Sequence, residues 1–123
     1  MIQDPLSKTV IGGAIAVHRE LGPGLLESVY ETCLLRELLM RGLHVARQVR
    51  LPVRYRGEVV SGAFRVDLLV EDALIIEVKA VESLLEIHRA QLLTYLKLSG
   101  LRRGLVINFN VLRLSTGISR VIL

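Results

Sequence analysis

Residues 63–80 read AFRVDLLVEDALIIEVKA, two runs rich in Val, Leu and Ile on either side of a polar triplet at residues 71–73. Charged residues alternate with apolar ones at the ends away from the triplet, and this pattern predicts the two antiparallel strands of a hairpin. The even positions of both strands, from Phe64 to Val78, are all apolar. We therefore expect them to share one face of the hairpin, and that face to lie in the core.

The charged residues of the two strands occupy odd positions and are Arg65, Asp67, Glu77 and Lys79. A three-residue turn places Asp67 directly opposite Glu77, with about 5 Å between their Cβ atoms, although a shift of the register by one residue stays open. Two carboxylates at that separation repel each other, and a hard divalent cation with oxygen ligands removes the conflict. We therefore expect Mg²⁺ (or Mn²⁺) between Asp67 and Glu77, because these ions suit a site with few carboxylates.

Lys79 lies two residues beyond Glu77 and hence on the same side of its strand. An ammonium group there can orient or activate a water molecule, or neutralise charge that develops on a phosphate. The alternative is a solvated strand face with a surface ion pair. Leu69 and Ile75 share the odd positions, which indicates that this face is partly covered, and we favour the catalytic interpretation.

Before the hairpin, the spacing of apolar residues predicts two helices and a strand. Ser7 is expected to cap the first helix, and the second lies between the break at residues 22–24 and Gly42. Residues 49–55 alternate between apolar and polar types, which predicts a half-buried strand. Pro52 cannot donate a hydrogen bond to a neighbouring strand, so this strand is expected at an edge of the sheet.

After the hairpin, Ser83 and Glu86 have the spacing of a capping box and are expected to open a third helix. The apolar run at residues 105–109 predicts a buried central strand parallel to the second strand of the hairpin. A terminal hairpin around Gly117 completes the pattern. The predicted fold is a single α/β domain over residues 1–123, with a mixed central sheet flanked by helices. One side of the third helix is expected to carry a stripe of residues spaced three or four apart, which are Leu84, Ile87, Gln91, Tyr95 and Leu98.

Composition sets broad limits on function. Sixteen Lys and Arg against twelve Asp and Glu give a formal net charge of +4, which is compatible with an anionic partner but decides nothing alone. The single cysteine excludes an internal disulfide and a cysteine-based zinc site. We find no sign of a membrane span or a signal peptide and expect a cytoplasmic protein.

Several short motifs resemble those of a known superfamily. Asp67 followed by Glu77-Val78-Lys79 resembles the D…(D/E)xK signature of PD-(D/E)XK nucleases, with Val66 where that signature has a proline. Residues 24–30, GLLESVY, are similar to the motif of the GxxExxY family within that superfamily. The remaining matches are QLLTY at residues 91–95, which resembles a QxxxY element, and INF at residues 107–109, which resembles an apolar-Asn-Phe strand.

The resemblance implies a restriction-endonuclease-like α-β-β-β-α-β core and a metal-dependent nuclease that hydrolyses phosphodiester bonds of nucleic acid, for which we favour DNA. It implies Asp67 and Glu77 as metal ligands, with the backbone carbonyl of Val78 as a third. Lys79 would assist the attacking water. Glu27 resembles an acidic residue that the superfamily often adds from an N-terminal helix; otherwise it is a favourable charge at a helix N-terminus.

The resemblance also implies that Gln91 and Tyr95, four residues apart on one helical face, position the metal site or the phosphate backbone. Their alternative is a buried helix face with satisfied polar tips. For Tyr30, a place in the pocket and a place in the core are equally expected. His88 is expected to be structural or exposed to solvent.

Three rival functions stay open: a catalytically silent nucleic-acid-binding module with the nuclease fold, a subunit of a larger complex, and a phosphodiesterase whose substrate is not a nucleic acid. A homodimer is expected from the small size of the chain alone. Several basic residues are candidates for binding phosphates, although some are expected to be a solvated strand face. They are Arg47, Arg50, Arg54, Arg56, Arg102, Arg103 and Arg113.

Overall fold

A computed structural model describes residues 4–123, apart from the side chains of residues 61–63. The strands within this range form one sheet in the order β1-β2-β3-β4-β5, in which β3 and β4 are parallel and the other neighbours antiparallel. The predicted α/β class with a mixed central sheet is confirmed, and α2 to β4 follow the predicted α-β-β-β-α-β order. The elements are α1 (Pro5–Leu21), α2 (Glu27–Met40), β1 (Val45–Tyr55), β2 (Glu58–Val70), β3 (Leu74–Lys79), α3 (Glu86–Ser99), β4 (Arg103–Asn108), a 3₁₀ turn (Leu114–Thr116) and β5 (Ile118–Ile122).

Helices cover both faces of the sheet. Helices α1 and α2 pack on one face, here called the α2 face, which includes Ile76 and Ile107. Helix α3 packs on the opposite face, here called the α3 face, which includes Ile75 and Val106. Strands β3 and β4 are therefore buried on both sides, which explains why their sequences are almost continuously apolar.

The ribbon formed by β1 and β2 reverses its faces at Gln48 and Asp67. Leu68 packs on the α2 face, whereas Val66 and Phe64 pack on the α3 face, although strict alternation would place all three on one side. The pairing of β1 with β2 is interrupted at Gln48 and Asp67, and Gln48 has a left-handed backbone with φ of 53°. The prediction that the even positions share one face is therefore wrong, since they divide between two cores.

The first helix begins earlier than predicted, and its cap is Asp4 instead of Ser7. Asp4 Oδ1 accepts a hydrogen bond of 2.8 Å from Ser7 N. Pro5 occupies the first helical position, where its fixed φ suits the helix and its missing N–H costs nothing. Ser7 consequently lies inside the helix and is buried.

The third helix also begins away from its predicted cap. It starts at Glu86, and Ser83 lies outside it. His88 takes the structural role, because its Nδ1 accepts a hydrogen bond of 3.0 Å from Leu85 N. The predicted stripe is wrong at Ile87, Gln91 and Leu98, which are exposed, Ile87 by 67%. The fully buried residues of α3 are Leu92 and Leu96.

The C-terminal segment contributes one strand where two were predicted. The 3₁₀ turn leads directly into β5, which pairs with β4, and Leu112 is 91% exposed. Strand β1 is an edge strand as predicted, and its pairing with β2 shifts between Leu51 and Val53, on either side of Pro52. Across residues 4–123, no helix is both long and apolar enough to cross a membrane.

Candidate functional site

The β2–β3 hairpin brings Asp67 and Glu77 together in the predicted register. The Cα partners of the hairpin end with Leu68↔Ile76, so Asp67 and Glu77 occupy the next opposed position. There the side chains replace the backbone pairing. Asp67 N donates a hydrogen bond of 2.8 Å to Glu77 Oε2, and Val78 N donates one of 2.8 Å to Asp67 Oδ2.

Burial and repulsion by neighbouring carboxylates raise the pKa of both carboxyl groups. Glu77 is only 5% exposed, and its burial, followed by the charge of Asp67, raises its pKa to about 8. Burial also raises the pKa of Asp67, against the lowering effect of the hydrogen bond from Val78 N. The nearby Lys79 ammonium lowers both pKa values without offsetting the rise. No salt bridge within the described part of the chain involves Asp67 or Glu77, so an additional cation is electrostatically favoured here.

A cavity of about 610 Å³ opens beside Asp67, between the N-terminus of α2 and the β1–β2 ribbon. Glu27, the first residue of α2, lines this cavity, and its Oε2 accepts a hydrogen bond of 3.3 Å from Ala80 N. The carboxylate of Glu27 therefore lies at the end of β3, next to Lys79. The lining residues are Glu27, Ser28, Glu31, Arg47, Gln48, Arg65 and Asp67.

Two residues of this site, Glu31 and Gln48, were not predicted as functional, and Arg47, expected as a candidate for binding phosphate, instead forms an ion pair with Glu31. Glu31 is buried and accepts a hydrogen bond of 2.6 Å from Arg47 Nε. Gln48 Nε2 donates to Glu31 Oε1 at 2.9 Å and to Asp67 Oδ1 at 3.4 Å. The neutral amide thus separates two like charges. The one available signal was the position of Glu31 directly after Tyr30 in the GLLESVY motif.

Gln91 and Tyr95 approach the carboxylates from the third helix. Tyr95 stacks on Phe64 with 4.5 Å between ring centroids, and Gln91, one helical turn earlier, lies near its hydroxyl. Burial raises the pKa of Tyr95, and the charges of Glu77 and Asp67 raise it further. The Tyr95 hydroxyl therefore lies within electrostatic range of both carboxylates.

The comparison with protein families agrees with this geometry. The family model for the PD-(D/E)XK nuclease superfamily matches residues 4–121. The chain belongs to the PD-(D/E)XK nuclease superfamily. Searches of curated proteins and of solved structures found no match. PD-(D/E)XK nucleases generally use divalent metal ions and act on nucleic acid, so membership supports a metal-dependent nuclease at the level of class.

Tyr30 of this PD-(D/E)XK chain lies in the core. It is fully buried and stacks on Phe109, with 4.7 Å between ring centroids. Its hydroxyl donates to Gly22 O at 2.6 Å and accepts from Leu25 N at 3.1 Å. Tyr30 therefore fixes the loop that leads into α2, and so the place where Glu27 begins the helix.

The donor set fits a PD-(D/E)XK metal site with few protein ligands. Among residues 4–123, with the side chains of 61–63 set aside, no three His, Cys, Asp or Glu side chains are grouped closely enough to hold an ion. Asp67 and Glu77 each use one oxygen for a backbone N–H, and the second oxygen of Asp67 has only the long contact of 3.4 Å with the Gln48 amide. Mg²⁺ is commonly held by one or two carboxylates, with water and substrate phosphate completing its octahedron.

Proposed function

We propose that this chain is a nuclease that hydrolyses phosphodiester bonds of DNA with the help of Mg²⁺ or Mn²⁺. The observation that carries the proposal is the Asp67–Glu77 pair, in which a half-buried and a buried carboxyl group meet with Lys79 nearby and no salt-bridge partner among the described residues. Such a pair is unfavourable when both groups are ionised and no cation joins them. Membership of the superfamily and the GLLESVY motif, which favours the GxxExxY family, support the same conclusion.

In this proposal, Asp67 and Glu77 hold the ion, and the backbone carbonyl of Val78 is a third ligand. Glu27 adds an acidic group from the start of α2, after its side chain leaves the long hydrogen bond to Ala80 N. A bound divalent cation supplies charge stabilisation at the phosphate and lowers the pKa of a water molecule.

The remaining side chains act on the water and the phosphate. Lys79 orients the attacking water and neutralises negative charge on the phosphate oxygens, since its ammonium already influences both carboxylates. The Tyr95 hydroxyl, with Gln91 beside it, positions the phosphate backbone on the side of the third helix. Packing of the Tyr95 ring on Phe64 limits its rotation, which reduces the entropy lost on binding.

The test is cleavage of plasmid, single-stranded and branched DNA, and of RNA, with Mg²⁺, with Mn²⁺ and with a chelator. We expect metal-dependent cleavage that falls on the order of 10²-fold or more in Asp67→Asn and in Glu77→Gln, because each removes charge at the reacting centre. Glu20→Gln is the matched control, since Glu20 is exposed and lies in a different groove, between α1 and α2. Activity that survives both substitutions contradicts the proposed site, and tight binding without cleavage favours a silent module.

The proposed oligomeric state is a homodimer, in which two sites would cut the two strands of a duplex. Sedimentation equilibrium with and without DNA measures it directly. A monomer under both conditions would contradict the proposed dimer, but it would not affect the assignment of the site residues.

A further inference from the structure

We infer that Arg50 and Arg65 form a phosphate-binding pair that holds the nucleic acid beside the scissile bond. The inference rests on the proposed function, because it names the surface on which the same substrate lies. The pair occupies the β1–β2 ribbon just beyond the reversal at Gln48, and one of its members, Arg65, lines the cavity that contains Asp67.

The two arginines are directly opposed on neighbouring strands. Arg50 and Arg65 are Cα partners in the antiparallel ladder, and both side chains are exposed. Opposed like charges destabilise a sheet, and within the described part of the chain neither arginine forms a salt bridge. Arg47 differs, because Glu31 already neutralises it at 2.6 Å. The opposed pair is thus a concentration of positive charge that an anionic ligand would stabilise.

The reversal of the ribbon turns this pair toward the site. Val49 and Val66 pack on the α3 face after the reversal, so their neighbours Arg50 and Arg65 point to the other side of the ribbon. That is the side on which the cavity opens, since Arg65 lines it together with Glu27. Without the left-handed backbone of Gln48, strict alternation would place the arginines on the side covered by the third helix.

Charge complementarity identifies the occupant as a phosphate backbone. The carboxylates of the cavity repel a polyanion, so a substrate strand needs compensating cations close to the reacting position. Guanidinium groups match phosphate oxygens with two parallel hydrogen bonds. Contacts of this kind fix the position of the strand and carry no sequence information, so the pair should hold any sequence equally.

The experiment measures binding in the absence of cleavage. Fluorescence anisotropy follows labelled duplex and single-stranded DNA with full-length protein in a chelator, at salt concentrations from about 50 to 200 mM. Arg50→Gln and Arg65→Gln should each reduce the slope of log affinity against log salt by about one, and the double variant by about two. Arg36→Gln makes the same charge change on the exposed side of α2 and should leave the slope unchanged.

A second measurement separates binding from folding. Since each substitution relieves the repulsion between opposed charges, thermal denaturation should show an unchanged or slightly raised Tm in Arg50→Gln and Arg65→Gln. Weaker DNA binding by variants with an unchanged Tm is then caused by the loss of the guanidinium groups and not by unfolding. The inference is overturned if the salt slope of the double variant stays at the wild-type value. It is also overturned if each arginine variant reduces the slope only as much as Arg36→Gln does.

The outcomes also distinguish this inference from the proposed function. If cleavage depends on Asp67 but the salt slope of the double variant is unchanged, the role of the arginine pair is rejected and the nuclease proposal stands. If the salt slope of the arginine variants is reduced but no metal supports cleavage, the nuclease proposal is rejected. The arginine pair is then the phosphate-binding surface of a binding module. Absence of measurable DNA binding at the lowest salt overturns the inference.

Discussion

The Gln48 side-chain amide reaches Asp67 Oδ1 at 3.4 Å, and these two residues are also the point at which the β1–β2 ribbon reverses its faces. A left-handed backbone at a residue other than glycine is strained and persists where the surroundings hold it. Here the same amide donates to Glu31 at 2.9 Å. One residue thus orients a carboxylate of the candidate metal site and determines which side of the ribbon faces the cavity.

Gln48→Gly tests this orienting role. Glycine adopts the left-handed backbone without strain, so the fold should be kept while the amide between Glu31 and Asp67 is lost. We expect the affinity for Mn²⁺, measured by calorimetry, to fall about 10- to 100-fold, as is typical when a group that orients a metal ligand is removed. Arg56→Gly is the matched control, because Arg56 has a similar φ of 50° in the turn after β1. An equal loss of affinity in both variants would contradict the role of Gln48.

The raised pKa of Glu77 predicts how stability depends on pH without metal. The folded protein holds the Glu77 proton up to a pKa of about 8, against an ordinary value of 4.5. The stability that this bound proton contributes is fully present below about pH 4.5. It declines by about 1.4 kcal/mol per pH unit above that and is lost as the pH rises through 8. Thermal denaturation in a chelator should therefore show a wild-type protein that becomes less stable from pH 5 to 8.

Glu77→Gln is the control for this pH dependence. The neutral amide cannot ionise, so the variant should lose less stability than the wild type over the same pH range, and it should no longer be stabilised by Mg²⁺. Equal pH profiles for the two proteins would show that Glu77 titrates normally, and the electrostatic account of the carboxylate pair would then be wrong.

The Tyr30 hydroxyl is predicted to act on stability and not on chemistry. Tyr30→Phe keeps the stacking on Phe109 but leaves Gly22 O and Leu25 N without their partner. We expect the free energy of unfolding, from chemical denaturation, to fall by about 1–3 kcal/mol. Tyr55→Phe, at a residue that is 63% exposed, should change little. A Tyr30→Phe protein of normal stability that cleaves poorly would place this hydroxyl in the reaction instead.

The Tyr95 hydroxyl is predicted to act on chemistry and not on stability. Tyr95→Phe retains the ring contact with Phe64 and removes the group that lies near Glu77 and Asp67. Cleavage should fall about tenfold in kcat/KM, a loss of about 1.4 kcal/mol in transition-state stabilisation, with little change in Tm. If the variant cleaves like the wild type, Gln91 and Tyr95 only cover the α3 face.

The parts of the site that depend on local sequence were predictable, and the reversal of the ribbon was not. The type and length of the turn set the register of a hairpin, so a three-residue turn predicted the opposition of Asp67 and Glu77. The left-handed backbone at Gln48 leaves no signal in the spacing of apolar residues, because Val45 and Val49 are an even number of positions apart although they pack on opposite faces. Glu31 and Gln48 come together only through tertiary contact, which spacing along the chain does not encode.

The errors at helix ends arise from competition between local signals. Ser7 is a good cap in isolation, but Asp4 followed by Pro5 offers a stronger start three residues earlier. The Ser83–Glu86 spacing matches a capping box, yet His88 supplies the acceptor for Leu85 N, and the helix starts later. In both places several caps fit the sequence, and packing of the helix on the sheet selects one.

Anomalous diffraction from a crystal soaked in Mn²⁺ tests most directly whether Asp67 and Glu77 share a divalent ion. We predict one strong peak within coordinating distance, about 2.0–2.4 Å, of an oxygen from each carboxylate, and the loss of that peak in Glu77→Gln. A peak held by other residues, or full soaking with no peak between these carboxylates, would contradict the metal site and the nuclease mechanism built on it.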